Sequence, residues 1–314
     1  MSRTIQYLQY LAVRVALCLL QSLRIETYAE WSPWLAWLCA DVLKIRRAVI
    51  RESLQIAFPE ASEARRRELT LGMWQHLFLL VAEVALAGRK IHETNWRRYL
   101  KPNNLEPLAR LMLSDRPKLF LSGHLGNFEM SNYLLGLFGL PTLAVARELD
   151  NEFLDRFIRN FRARTGQRMV DKKGGYDDIQ ATLAAGGAVS MLADQYAGGK
   201  GCWVDFFGRP ASTHKAIALL ALEYEAPILV GCTSRLGRPL HCEMIVGAVL
   251  DPRAASEASA GVKPLTQWFT HQLEGLIRQI PAQYWWVHRR WKGTPPKGRK
   301  AKPEAIATTS TEDN

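Results

Sequence analysis

The stretch KLFLSGHLGNFEMSNYLLGLFG, residues 118–139, reads as a strand, a turn and a helix. KLFLS is a short apolar run closed by Gly123, and from Asn127 onward the apolar residues recur at three and four spacings, the period of a helix face. His124 falls between them, at the carboxyl end of the strand, where open α/β sheets place their reactive groups. Outward from this unit the same texture repeats. Strands are predicted at 118–122, 142–146, 188–193, 228–232 and 243–250, and helices at 127–139, 151–164, 176–186, 213–225 and 262–280. Such alternation implies an α/β fold, with a central mixed sheet flanked by helices.

The segment before Pro102 has a different character. RRAVIRESLQIAF (46–58) and EARRRELTLGMWQHLFLLVAEVAL (63–86) are basic amphipathic helices. Ahead of them, IQYLQYLAVRVALCLLQSL (5–23) is mostly apolar, and WSPWLAWLCADVL (31–43) is rich in Trp. No small-residue cleavage site follows the first of these. The expectation is an N-terminal membrane-associated helical region, residues 1–45, that either inserts in the bilayer or lies on it. The α/β domain then covers 46–292, and 293–314 has the composition of a disordered tail.

Composition narrows the function classes. The 314 residues carry a net charge of +11. From Lys292 on, five basic residues meet three acidic ones, so the excess belongs to the folded part. Nucleic acid, anionic lipid headgroups and a phosphorylated substrate all fit that balance. The five cysteines stand singly with no C-x-x-C pair, which suggests neither a disulfide framework nor a zinc site.

The chemistry of the turn rests on two side chains. Five residues is about 500° of α-helical rotation, so His124 and Glu129 cannot share the face of one helix. They meet if His124 stays in the turn and the helix begins near Asn127, with Gly123 and Gly126 allowing the tight backbone. Glu129 would then accept a hydrogen bond from one imidazole nitrogen and raise the basicity of the other, making His124 a general base. The N–H groups around Gly126 and Asn127 are candidate donors to an oxyanion.

The stretches SGHLGNFE, ARELDN with RNFRARTG, LADQYAGGKGCWVDFFGRPASTHKAIALLAL and PAQYWWVHRRWK, with RRAVIRESLQIAFPEASEARRRELT upstream, occur in this order along the chain. Together they resemble the lipid A biosynthesis acyltransferase family, the late lauroyl and myristoyl transferases of the lysophospholipid acyltransferase superfamily. The resemblance covers roughly residues 1–292. It implies that His124 and Glu129 form a catalytic dyad. It also implies that a hydroxyl of a glycolipid acceptor attacks an acyl thioester, carried by acyl carrier protein or alternatively acyl-CoA, with no metal or redox cofactor. A bacterial inner-membrane location with the catalytic domain facing the cytoplasm follows from the same resemblance.

Several residues gain a role in that light. Arg147 and Arg164 are expected to contact the acceptor or the phosphopantetheine group, with surface ion pairing as the alternative. Asp194 and Gln195 end the strand 188–193 on the same sheet edge. Asp194 either forms a salt bridge to Arg164 or Arg147 or positions the acceptor. WVDFFGRPASTHKA is read as lining the substrate site, with a Gly-Arg-Pro turn and a helix from about Thr213. His76, His92, His214, His241 and His271 are read as structural. PAQYWWVHRRWK has the aromatic and basic composition of a nucleic-acid contact, but the resemblance places it beneath the active site, facing lipid, and implies no nucleic-acid partner. Acyl transfer to another glycolipid such as mannosylated phosphatidylinositol, and a nonenzymatic basic binder, are the competing readings.

Overall fold

A computed structural model describes residues 2–146, 149–163, 165–171 and 174–295. Four helices come first: α1 (Arg3–Ser22), α2 (Ile25–Trp37), α3 (Arg47–Ala57) and α4 (Glu63–Lys90). Then follow β1 (Leu100–Asn103), α5 (Glu106–Met112), β2 (Lys118–Ser122), α6 (Phe128–Leu137), β3 (Leu143–Ala146), α7 (Glu152–Ala163), β4 (Arg168–Asp171), α8 (Tyr176–Ala184) and β5 (Ala188–Leu192). The chain continues through β6 (Cys202–Phe206), β7 (Arg209–Thr213), α9 (Ala216–Glu223), β8 (Ile228–Arg235), β9 (Cys242–Leu250) and α10 (Val262–Gln279).

Seven strands form one sheet in the order β1-β9-β8-β2-β5-β3-β4. Neighbours run parallel except β8 and β9, so the sheet is mixed. β2 lies inside it, and four of its five residues are buried, the pattern of a strand covered on both faces. Alternation along β2 splits the core. Leu119 and Leu121 pack with Val189, Val230, Phe269 and Leu273 on one side, whereas Phe120 packs with Met130, Leu134 and Leu108 on the other. Register matters most for function. Ser122 of β2 pairs with Leu192 of β5, so His124 and Asp194 each lie two residues beyond a paired position. The two side chains therefore emerge together at one sheet edge.

The five expected strands are present, and β1, β4, β6 and β7 are additional. Residues 202–213 form an antiparallel hairpin. Val204 and Phe206 turn inward at 3% and 0% exposure while Asp205 faces out. The hairpin turns at Phe207 and Gly208, which have φ of +56° and +71°, the twist that short hairpin turns favour. The following helix starts at Ala216, not near Thr213.

The N-terminal helices pack on this body. The inner stripe of α1 runs through Gln6, Tyr10, Leu17 and Leu20. Tyr10 meets Phe153 and Phe157 of α7, the Asn151 amide donates to Gln6 O, and the Gln21 amide donates to Ala85 O of α4. Tyr28 of α2 packs with Leu79, Ala82 and Leu86 of α4. The tail beyond Pro295, together with Arg147 and Arg164, lies outside the described residues.

Candidate active site

The turn between β2 and α6 is fixed from all sides. Gly126 has φ of +58°, and a Cβ placed there would lie 2.2 Å from Thr233 O, so only glycine fits this approach to β8. Its N–H donates to Gln283 O, and the Asn127 N–H donates to Thr233 O. Asn127 caps α6: its side-chain oxygen accepts from Met130 N, and its amide donates to Glu83. His124 O accepts from Trp285 N. These bonds hold His124 outside the helix, as the sequence requires, with 7% of the residue exposed.

Asp194 is the partner of His124. The imidazole Nδ1 lies 2.9 Å from Asp194 Oδ1, and the His124 main-chain N–H donates to Oδ2 at 2.8 Å. The carboxylate is 1% exposed. Its burial works against ionisation, but the charge and hydrogen bonds of His124 outweigh it and hold the pKa down at about 2. An ionised Asp194 can only accept a hydrogen bond, so Nδ1 carries the hydrogen and Nε2 is left as the basic nitrogen.

This geometry bears on several expectations. The Glu129 carboxylate, on the first turn of α6, forms a two-pronged ion pair with Arg162 of α7, and it is Asp194 that bonds the imidazole. Asp194 pairs with His124 because the β2–β5 register delivers both residues to one point. The N–H groups of Gly126 and Asn127 already donate to main-chain carbonyls, so these two residues shape the turn rather than offering donors to an oxyanion. Gln195 is exposed beside Asp194. The expected contacts of Arg147 and Arg164 fall outside the described residues.

A second polar cluster lies behind the turn, and the sequence gives little sign of it. Arg235 donates to both oxygens of Glu83 at 2.6 and 2.7 Å. It also approaches His76 Nδ1 at 2.8 Å, while His76 Nε2 bonds Gly126 O at 3.1 Å. His76 and Glu83 are one helical face of α4, seven residues apart, but their partner comes from β8, a hundred and more residues later. His76 is therefore structural, as expected, and specifically supports the turn.

Burial, and then the adjacent Arg235, push the His76 pKa down to about 3 against the pull of the Gly126 carbonyl. Because the folded value lies below the unfolded one, His76 contributes no penalty above pH 6.5. Stability is lost as the pH falls from there toward 3, by about 1.4 kcal/mol per pH unit, as the unfolded chain takes up a proton that the folded chain does not. Urea unfolding of wild type and His76→Gln between pH 7 and 4 should show a wild-type slope steeper by one proton; parallel slopes would contradict the buried neutral histidine.

The aromatic and basic segment after α10 wraps the site. Trp285 stacks near His124 with ring centres 4.9 Å apart, and His288 lies 4.8 Å from the same ring. Tyr284 and Trp286 are 2% and 1% exposed and belong to the core. The buried Arg290 donates to Ser212 O and Thr213 Oγ1 of β7. His288 is a further residue of the centre, and its burial and the proximity of His124 lower its pKa.

The family model described as bacterial lipid A biosynthesis acyltransferase matches residues 1–293. The chain belongs to this family. It is an acyltransferase of lipid A biosynthesis, and the acceptor is of the lipid A type. Among curated relatives, it is similar to the lipid A biosynthesis palmitoleoyltransferase of Escherichia coli K12, 24% identical over 257 residues that cover 81% of each chain. It is also similar to the lauroyltransferase of the same organism, 25% identical over 261 residues and again 81% of each chain. A lipid A biosynthesis acyltransferase of Shigella flexneri matches at 24% over 257 residues, with the same coverage.

Proposed function

We propose that this member of the family moves a fatty acyl chain from an acyl carrier protein thioester to a hydroxyl of a lipid A precursor, with His124 as base and Asp194 as its orienting partner. The observation that carries this reading is the buried 2.9 Å contact between Nδ1 and Asp194. Nε2 takes the proton of the attacking hydroxyl as its oxygen bonds to the thioester carbonyl carbon. The tetrahedral intermediate then expels the thiolate, the C–S bond breaks, and the proton passes from Nε2 to sulfur. Glu129 acts through Arg162, holding a guanidinium beside the turn where a phosphorylated glycolipid would approach. Purified protein should form acylated precursor from lauroyl-acyl carrier protein and the lipid A precursor, and faster than from lauroyl-CoA. Transfer from the coenzyme A thioester alone would overturn the donor.

The protein is also proposed to work on the inner membrane, facing the cytoplasm, with its N-terminal helices in the interface. The outer stripe of α1, Ile5, Leu8, Val15 and Leu19, is 48 to 63% exposed and apolar, opposite the stripe that packs on α7 and α4. Trp31, Trp34 and Trp37 of α2 are also 44 to 59% exposed, and Trp favours the bilayer boundary. Among the described residues α4 alone is long and apolar enough to span a membrane, but half of that window is buried and it carries His76 and Glu83 into the core. α1 and α2 meet at 114° and do not form one straight span. An interfacial placement fits these helices best. Deleting residues 1–24 should reduce flotation with anionic liposomes several-fold without eliminating it, since the basic α3 and α4 remain. Wild-type protein that fails to float at low salt would contradict the placement.

A further inference from the structure

Acyl transfer requires hydrogen-bond donors set in advance for the oxyanion of the tetrahedral intermediate, and the N–H groups of Gly126 and Asn127 are already committed. The indole of Trp285 lies against the His124 ring, 4.9 Å between centres, with Phe128 5.4 Å away. Its Nε1–H is buried and has no acceptor among the described residues. Other tryptophans of the same region are satisfied: Trp286 donates to Pro281 O at 2.7 Å, and Trp291 to Phe206 O at 3.0 Å. A buried donor without an acceptor destabilises a fold, and one beside a reacting group calls for a functional explanation. The position of Trp285 is fixed relative to the base, because its main-chain N–H donates to His124 O at 3.0 Å.

We propose that the Trp285 indole N–H is a catalytic donor to the oxyanion of the acyl-transfer intermediate. The proposal rests on the reading of His124 as the base of that reaction. The His124 side chain is itself only 9% exposed, so the imidazole and the adjoining indole share one largely buried place at the sheet edge. As the hydroxyl oxygen bonds to the carbonyl carbon, the electron pair of the C=O bond moves to oxygen, where Nε1–H meets it. The pair returns as the C–S bond breaks.

The test removes the N–H, and one of its two variants keeps the fused ring. Trp285→Phe, and a protein carrying benzothienylalanine at 285 with sulfur in place of N–H, are assayed with lauroyl-acyl carrier protein and a lipid A precursor beside wild type and His124→Ala. The expected result is a fall in kcat of about 10²- to 10³-fold in both, with KM little changed and, in the benzothienylalanine protein, Tm unchanged or raised, since it loses an unsatisfied buried donor. Turnover within about threefold of wild type in the benzothienylalanine protein would overturn the proposal. So would a loss of kcat accompanied by a parallel loss of Tm in both proteins. Activity in His124→Ala would instead defeat the acyl-transfer reading beneath it.

Discussion

His124→Ala is expected to reduce acyl transfer by about 10²- to 10⁴-fold, the scale of a general base, while leaving the fold intact. The imidazole projects from a turn held by main-chain bonds at Gly126, Asn127 and Trp285, none of which involves the ring. The ring adds little core volume compared with its neighbours Tyr284 and Trp286, but it is the side-chain partner of the buried Asp194, so truncation should lower Tm measurably while the protein still folds. Transfer kinetics and thermal unfolding of the purified variant check both halves. Near-normal transfer by the folded variant would contradict the assignment.

Asp194→Asn is expected to lower kcat by a similar factor, and it separates the two carboxylates at the turn. An asparagine amide in that position donates to Nδ1 in place of accepting from it, which holds the imidazole in the tautomer with hydrogen on Nε2. A protonated Nε2 cannot take the hydroxyl proton. Glu129→Gln should behave differently. It releases Arg162 from its ion pair and is expected to raise KM for the acceptor several-fold with kcat nearly preserved. If Glu129→Gln instead loses kcat by about 10²-fold and Asp194→Asn does not, the orienting role belongs to Glu129.

The fold class was legible because its signals are local. KLFLS and the helix after Asn127 differ in period, and the same switch recurs along the second half of the chain, which reveals a sheet with helices on its faces. The strands that escaped notice are those with weak local signals. LKPN and RMVD are short and polar and pair at or near the sheet edges, and the strands at 202–213 hide inside a Gly- and Pro-containing stretch. His124 was legible as a strand-end residue. Its partner was not, because the pairing depends on register between β2 and β5, seventy residues apart. Sequence spacing favoured the nearer acid, Glu129, while the helix start at Phe128 carries that side chain toward α7. The Glu83–Arg235–His76 cluster joins α4 to β8 and leaves no motif at all, since a buried ion pair is recognised only once both elements are placed.

The most direct test of the account is mass spectrometry of lipid A from cells of the source bacterium lacking this protein, complemented with wild type or His124→Ala. The deletion should yield lipid A short of one fatty acyl group, wild type should restore it, and His124→Ala should not. Unchanged lipid A in the deletion strain, or full restoration by His124→Ala, would contradict the account.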